Sequence, residues 1–185
     1  MRVAAIVGVS LGLLVFRPAS AFSESPTAGV ELGVTASRFS PNNTGESITI
    51  GHGTIAGFYA VVPIRPSISL VAELVYYQKY STRSTGAAAE VEYVGIPLLA
   101  KMPFLWHTYF IEGVAFNYPV NVRGFAQDLS RTTSPDVGVV IGGGYDINKL
   151  AIEFRYDGGL RRISTVETAP IQRSRSFALI FKVHL

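Results

Sequence analysis

The stretch "DINKLAIEFRYDGGL" (residues 146–160) alternates Leu150, Ile152, Phe154 and Tyr156 with Ala151, Glu153, Arg155 and Asp157. Period two over this length is the pattern of a β-strand with one apolar and one ionic face. Asp146-Ile147-Asn148-Lys149, just ahead of it, has the residues of a tight turn. The fold depends on which face points inward. A ligand-carrying barrel in water puts its apolar set inside, whereas a membrane barrel turns that set outward against lipid.

The same alternation recurs along the chain and marks eight candidate strands, at about 29–39, 53–62, 68–79, 90–102, 108–118, 136–145, 150–160 and 173–185. They exceed the ~5–6 residues of an average globular strand and suit the ~9–11 tilted residues that cross a bilayer. Their connections alternate in length. Residues 63–67, 102–107 and 146–149 are short links, while 40–52, 80–89, 119–135 and 161–172 are long and polar. An even number of strands joined this way predicts an eight-stranded antiparallel up-and-down transmembrane barrel, with short periplasmic turns, long outer loops and both termini on the periplasmic side.

Parity sorts the side chains into two sets. One holds Leu70, Ala72, Leu74 and Tyr76; Val94, Ile96, Leu98 and Ala100; Val137, Val139, Ile141 and Tyr145; Phe177, Leu179, Phe181 and Val183. The other is small or ionic, with Glu31, Gly33, Thr35, Ser37, Gly57, Tyr59, Ser69, Glu73, Lys79, Lys101, Asp136, Gly138, Gly142, Gly144, Lys182 and His184. A solvated exterior would carry far more Lys and Glu than this second set does, and its glycines and serines suit a crowded lumen. Aromatic residues near the strand ends, Tyr76, Tyr77 and Tyr80 at one level and Phe104, Trp106, Tyr109 and Phe110 at the other, are expected as interfacial girdles. The Gly-x-Trp that opens a lipocalin is missing around Trp106, which counts against a secreted lipocalin-like barrel.

Slipping residues 150–160 by one position would aim Arg155 at lipid, at about 2–4 kcal/mol near the midplane. Turned inward, Glu153 and Arg155 are expected to join Glu73, Lys101 and Lys182 in a structural polar network that fills a lumen too narrow to conduct. Glu112 is the exception: in "YFIEGVAF" it shares a face with Phe110, Val114 and Phe116, and only a bulge near Gly113 would turn it from lipid.

Charged residues make up only 16% of the 185, against 48% apolar, and the net charge of +3 is spread along the chain. No basic run points to nucleic acid. Met1-Arg2, the apolar run 3–16 and Ala19-Ser20-Ala21 read as a signal peptide over residues 1–21, leaving a barrel domain at 22–185. With no cysteine, the fold rests on packing and backbone pairing.

His52, His107 and His184 show no metal-binding spacing, and no Gly-x-Ser-x-Gly elbow is present. Gly142-Gly143-Gly144 lacks the Lys-Ser/Thr of a phosphate loop and reads as close packing. No catalytic residue, metal site or cofactor is therefore assigned. The rival reading is a lipid-modifying enzyme whose Ser, His and acid come from distant strands. Asn42-Asn43-Thr44 matches a glycosylation sequon by chance on a bacterial reading. In the outer loops Arg83, Arg123, Arg131, Arg161, Arg162, Arg173 and Arg175 mix with Glu46, Glu90, Asp128 and Glu167, and guanidinium groups there suit either an anionic lipid or protein partner or a merely solvated rim.

With the strands placed, "SLVAELVYYQK" (69–79), "YVGIPLLAKM" (93–102), "DVGVVIGGGYDI" (136–147), "LAIEFRYDGGL" (150–160) and "SFALIFKVHL" (176–185) resemble, in order and spacing, the PorT-like outer-membrane β-barrel proteins of the Bacteroidetes and their relatives. That resemblance implies a bacterial outer-membrane location, lipid around the barrel and recognition of the closing strand by the barrel assembly machinery. Such barrels usually end in an aromatic residue, and this chain ends in Leu185. The resemblance fixes no activity. The expected role is non-enzymatic: structural, adhesive or envelope-interacting, through the outer loops.

Overall fold

The computed structural model describes residues 26–41, 48–83, 88–124, 136–160 and 171–185. The expected signal peptide, Asn42-Asn43-Thr44, Glu46, Asp128, Arg131, Arg161, Arg162 and Glu167 lie outside the described residues, as do the side chains of Arg83 and Arg173. Eight strands follow one another: β1 Thr27–Pro41, β2 Ile48–Arg65, β3 Ile68–Arg83, β4 Ala88–Pro103, β5 Thr108–Gly124, β6 Asp136–Ile147, β7 Leu150–Gly159 and β8 Ile171–His184. Each pairs antiparallel with the next, and β8 closes on β1.

The register fixes the barrel's shape. From Thr27 the paired residues run through Val61, Val71, Leu99, Gly113, Val140, Asp157 and Ser176, and return to β1 at Ser37. The circuit climbs ten residues, from 27 to 37. With strands ~4.8 Å apart and ~3.3 Å per residue, eight strands then tilt by about 40°, and each residue climbs about 2.5 Å along the axis.

Alternation sets the two faces as the sequence predicts. On β7, Ala151, Glu153 and Arg155 are buried while Leu150, Ile152 and Phe154 are 52%, 39% and 55% exposed. The exposed set continues around the wall through Leu32, Phe58, Leu74, Ile96, Leu98, Val114, Ile141, Leu179 and Phe181. The polar set is inside and the apolar set outside, the reverse of a lipocalin-like carrier.

The strands outrun the expected ones at the loop-bearing rim. β2 starts at Ile48 and β5 runs to Gly124, so parts of 40–52 and 119–135 that read as loop are paired backbone. These extensions alternate Ile48, Ile50, Val120 and Val122 with polar residues, but Gly51, Pro119 and the register shifts between Ile50 and Ile55 and between Glu92 and Tyr93 separate them from the longer apolar alternation of the strands they extend. The turns at the other rim tighten to 66–67, 104–107 and 148–149, with Trp106, His107 and Asn148 at positive φ.

Two further corrections follow from parity. Tyr77 and Tyr109 are 6% and 4% exposed and point into the lumen, so neither belongs to a girdle. Each adjoins a residue that faces out, Tyr76 or Phe110, and neighbours in a strand face opposite ways. No bulge re-aims Glu112, whose parity with Phe110 and Val114 holds: Leu99–Gly113, Ala100–Glu112 and Lys101–Ile111 pair without a break, and Glu112 is exposed on the outer wall. Gly113 cannot give way to a larger residue, because a Cβ there would run into the backbone of Leu98 and Leu99.

Candidate functional site

The lumen holds polar side chains at three levels. At mid-height, β7 brings Arg155 across to Glu73 on β3: Nη1 donates to Oε2 at 2.6 Å and Nη2 to Oε1 at 2.5 Å. Arg155 Nε also donates to Glu153, two residues away on the same inward face. Lys182 of β8 donates to Glu73 at 2.8 Å and stands 3.5 Å from Glu153 and 3.4 Å from Glu31. Tyr109 donates to Glu153 at 2.9 Å. Of the sequence-assigned network, Glu73, Glu153, Arg155 and Lys182 thus meet in one cluster, and Glu31 and Tyr109 join it.

Three carboxylates here face two cations. Glu73 is bound by both, whereas neither oxygen of Glu31 makes a hydrogen bond among the described residues. Its nearest cations are Lys182 at 3.4 Å and Arg155 at 3.9 Å.

Lys101, the fifth assigned residue, is buried nearer the turn-bearing rim, where it donates to Asp146 at 2.8 Å and lies 4.3 Å over the Tyr109 ring. His184 stands beside it, 3.7 Å from Asp146, with its Nδ1 2.7 Å from the Tyr59 hydroxyl. A cavity of about 360 Å³ opens there, lined in part by Lys101, His107, Tyr109, Asp146 and His184.

Towards the loop-bearing rim Lys79 is fully buried, 3.2 Å from Asp157 and 3.0 Å from Ser174, which in turn donates to Asp136 at 3.2 Å. The stacked rings of Tyr77 and Tyr93 lie 5.2 and 5.3 Å from the Lys79 ammonium. Between these polar levels sit two apolar clusters, one around Ile55, Val75, Tyr93 and Ile180, the other around Val61, Val71, Leu99 and Ile111. Between the upper and middle levels a gap of about 40 Å³ is lined by Thr35, Asn117, Arg155 and Asp157 among others, room for about one water. Inward side chains therefore fill the middle of the barrel.

The outer wall supplies the other candidate surface. Tyr76, Trp106 and Phe110 are exposed there, and Tyr80 is half-buried with its hydroxyl 2.7 Å from Glu90. Tyr118 and Tyr80 stand near the loop-bearing edge of the apolar belt with Tyr76 and Tyr156 lower on the wall, and Phe104 and Tyr145 share the turn-bearing edge with Trp106 and Phe110. Level with Tyr80, Arg38 of β1 and Arg175 of β8 are direct register partners and both are exposed. Neither has a hydrogen-bond or ion-pair partner among the described residues. Arg123, by contrast, lies 3.6 Å from Glu90 and 4.0 Å from Glu92. Sequence reading missed Arg38, because it lies in an alternating strand and not in a loop.

No family model matches the chain, and no curated protein matches it in sequence. Among solved structures it is similar to Ail, the attachment invasion locus protein of Yersinia pestis, in complex with the heparin analogue sucrose octasulfate, with a TM-score of 0.53 and 8% identity over 88% of this chain and all of that one. It is also similar to Neisserial surface protein A, with a TM-score of 0.55 and 15% identity over 86% of this chain and 99% of that one. At such identities the likeness concerns the fold. The chain has the closed eight-stranded antiparallel fold of small outer-membrane β-barrels.

Proposed function

We propose that this chain is a bacterial outer-membrane barrel of the PorT-like kind, neither enzyme nor open channel, that works by binding sulfate or phosphate esters at its loop-bearing rim. The observation that carries this reading is the Arg38–Arg175 pair. Like charges directly opposite on one face of a sheet repel, and here no described carboxylate lies between them. An anion bridging two guanidinium forks relieves that repulsion with charge-assisted hydrogen bonds. The pair stands eleven residues above Thr27, or about 27 Å along the axis, at the upper edge of an apolar band that is typically ~25 Å tall. On this reading it stands where a membrane surface meets the medium. The complex of Ail with a polysulfated sugar shows the same ligand chemistry on a similar barrel. The expected lipid surroundings and recognition of the closing strand by assembly machinery belong to this reading too, supported by the outward apolar wall and by the alternation that runs to Val183.

The test uses the folded protein in neutral phospholipid vesicles. Titration with sucrose octasulfate, and separately the addition of an anionic phospholipid to the vesicles, distinguishes a soluble polyanion from a membrane phosphate as the ligand. Binding in either arm should fall at least tenfold in R38A/R175A, weaken with salt, and persist in R123A. Equal binding by wild type and R38A/R175A in both arms would rule the reading out.

A further inference from the structure

We infer that Glu112 marks a lateral interface at which two copies of this chain pair within the membrane, carboxyl to carboxyl across a twofold axis. Glu112 lies four residues above the start of β5, about 10 Å along the axis, near the middle of the apolar belt. It is exposed on the outer wall, with Ala100 opposite it on β4 and Ile141 opposite it on β6. Among the described residues it has no partner, and the outward side chains around it, Leu98, Phe110, Val114 and Ile141, are apolar. A polar group in hydrocarbon seeks a hydrogen bond, and in membranes such groups join neighbouring segments.

Three features favour a second copy as the occupant. Copies inserted in the same direction meet at equal depth, so a group on one wall can reach only groups at its own level on the other. At that level the described outer wall offers one polar group, Glu112 itself, and a twofold axis along the membrane normal brings it to its own copy. Protonated carboxyl groups are self-complementary: each O–H donates to the other's carbonyl oxygen. Finally, small outward residues flank the carboxyl. Ala100 is directly opposite, and Gly143, partner of Phe110, is diagonal to it on β6. They leave room for the walls to approach, as small residues do at membrane helix interfaces. This inference needs the apolar wall to face lipid and is independent of anion binding at the rim.

The chain has no cysteine, so single cysteines report cleanly. V114C places a thiol one outward position from Glu112, and V34C places one on the opposite side of the barrel. Both proteins are reconstituted at dilute protein-to-lipid ratios and treated with a short bis-maleimide, and an unheated gel confirms that each is folded. The V114C protein should cross-link to twice its mass and the V34C protein should stay single. Adding E112L to V114C should cut the product about five- to tenfold, whereas E112Q, whose amide can also pair with itself, should keep most of it. A V114C protein that stays single in neutral lipid, or one that cross-links equally with E112L, overturns the inference. So does a product from native membranes at a mass other than twice the chain, which would assign Glu112 to a different partner.

Discussion

Arg155 and Glu73 meet across the full width of the barrel, 82 residues apart in sequence, through two hydrogen bonds of 2.6 and 2.5 Å. β3 and β7 are four strands apart in a ring of eight and so face each other across the lumen. Both groups are almost fully buried. Removing one partner leaves the other charge uncompensated at a cost of about 3–5 kcal/mol, while replacing both with apolar side chains of similar volume is often neutral. We expect E73A and R155A each to lower stability by that amount and E73M/R155M to recover most of it, measured by urea unfolding in lipid vesicles. Additive losses in the double variant would show that the two groups do not act as a pair.

A charge count distinguishes Glu31 from Glu73 within the same cluster. Arg155 and Lys182 are outnumbered by three carboxylates, and Glu73 takes the close contacts from both. Glu31 adds negative charge and makes no hydrogen bond among the described residues. E31Q should therefore leave stability within about 1 kcal/mol of wild type or raise it, whereas E73Q should lose several kcal/mol because it strips Arg155 of its fork. Equal losses in the two variants would contradict this ordering.

How much of this was legible in the sequence depends on the range of the interaction. Facing is local: Ile152 and Arg155 differ in parity, and parity alone sends one outward and the other inward. The same rule excludes Tyr77 and Tyr109 from the girdles, yet grouping aromatics by closeness in sequence ignores it. Strand ends were less legible because the short ladders beyond the apolar belt, such as Ile48-Thr49-Ile50 at the start of β2, are cut off by a register shift from the alternation of the strand they extend. The pairings inside the lumen depend on a global quantity. Only the ten-residue climb of the register brings Glu31, Glu73 and Glu153 to within about one residue of the same height, and nothing in the neighbourhood of any one of them encodes it.

Packing of the lumen predicts its electrical behaviour. The aromatic pair Tyr77–Tyr93, the Lys79 level and the Arg155 cluster are stacked along the axis with a gap of only about 40 Å³ near them. Eight strands leave an interior that side chains just fill. The wild-type protein in a planar bilayer should give no steady ion current. Large, sustained conductance steps from pure folded protein would show that the polar levels line a pathway.

The outward face of β7 spans a range of depth, and the rim and the lateral contact both depend on that face lying against lipid. Phe154 and Leu150 face outward on the same strand, 55% and 52% exposed, but they differ in height. Leu150 begins β7 at the turn-bearing rim, and Phe154 lies four residues higher, about 10 Å along the axis, at the level of the Arg155 cluster inside. An arginine on a lipid-facing wall costs about 2–4 kcal/mol at the midplane and about 0–1 kcal/mol near an interface. F154R should therefore destabilise the barrel in lipid vesicles by about 1–4 kcal/mol more than L150R, although both replace an exposed apolar side chain with the same cation. In water no such gradient exists, because an exposed arginine is solvated at any height. Equal and small effects of the two substitutions would mean that water, not hydrocarbon, covers this wall.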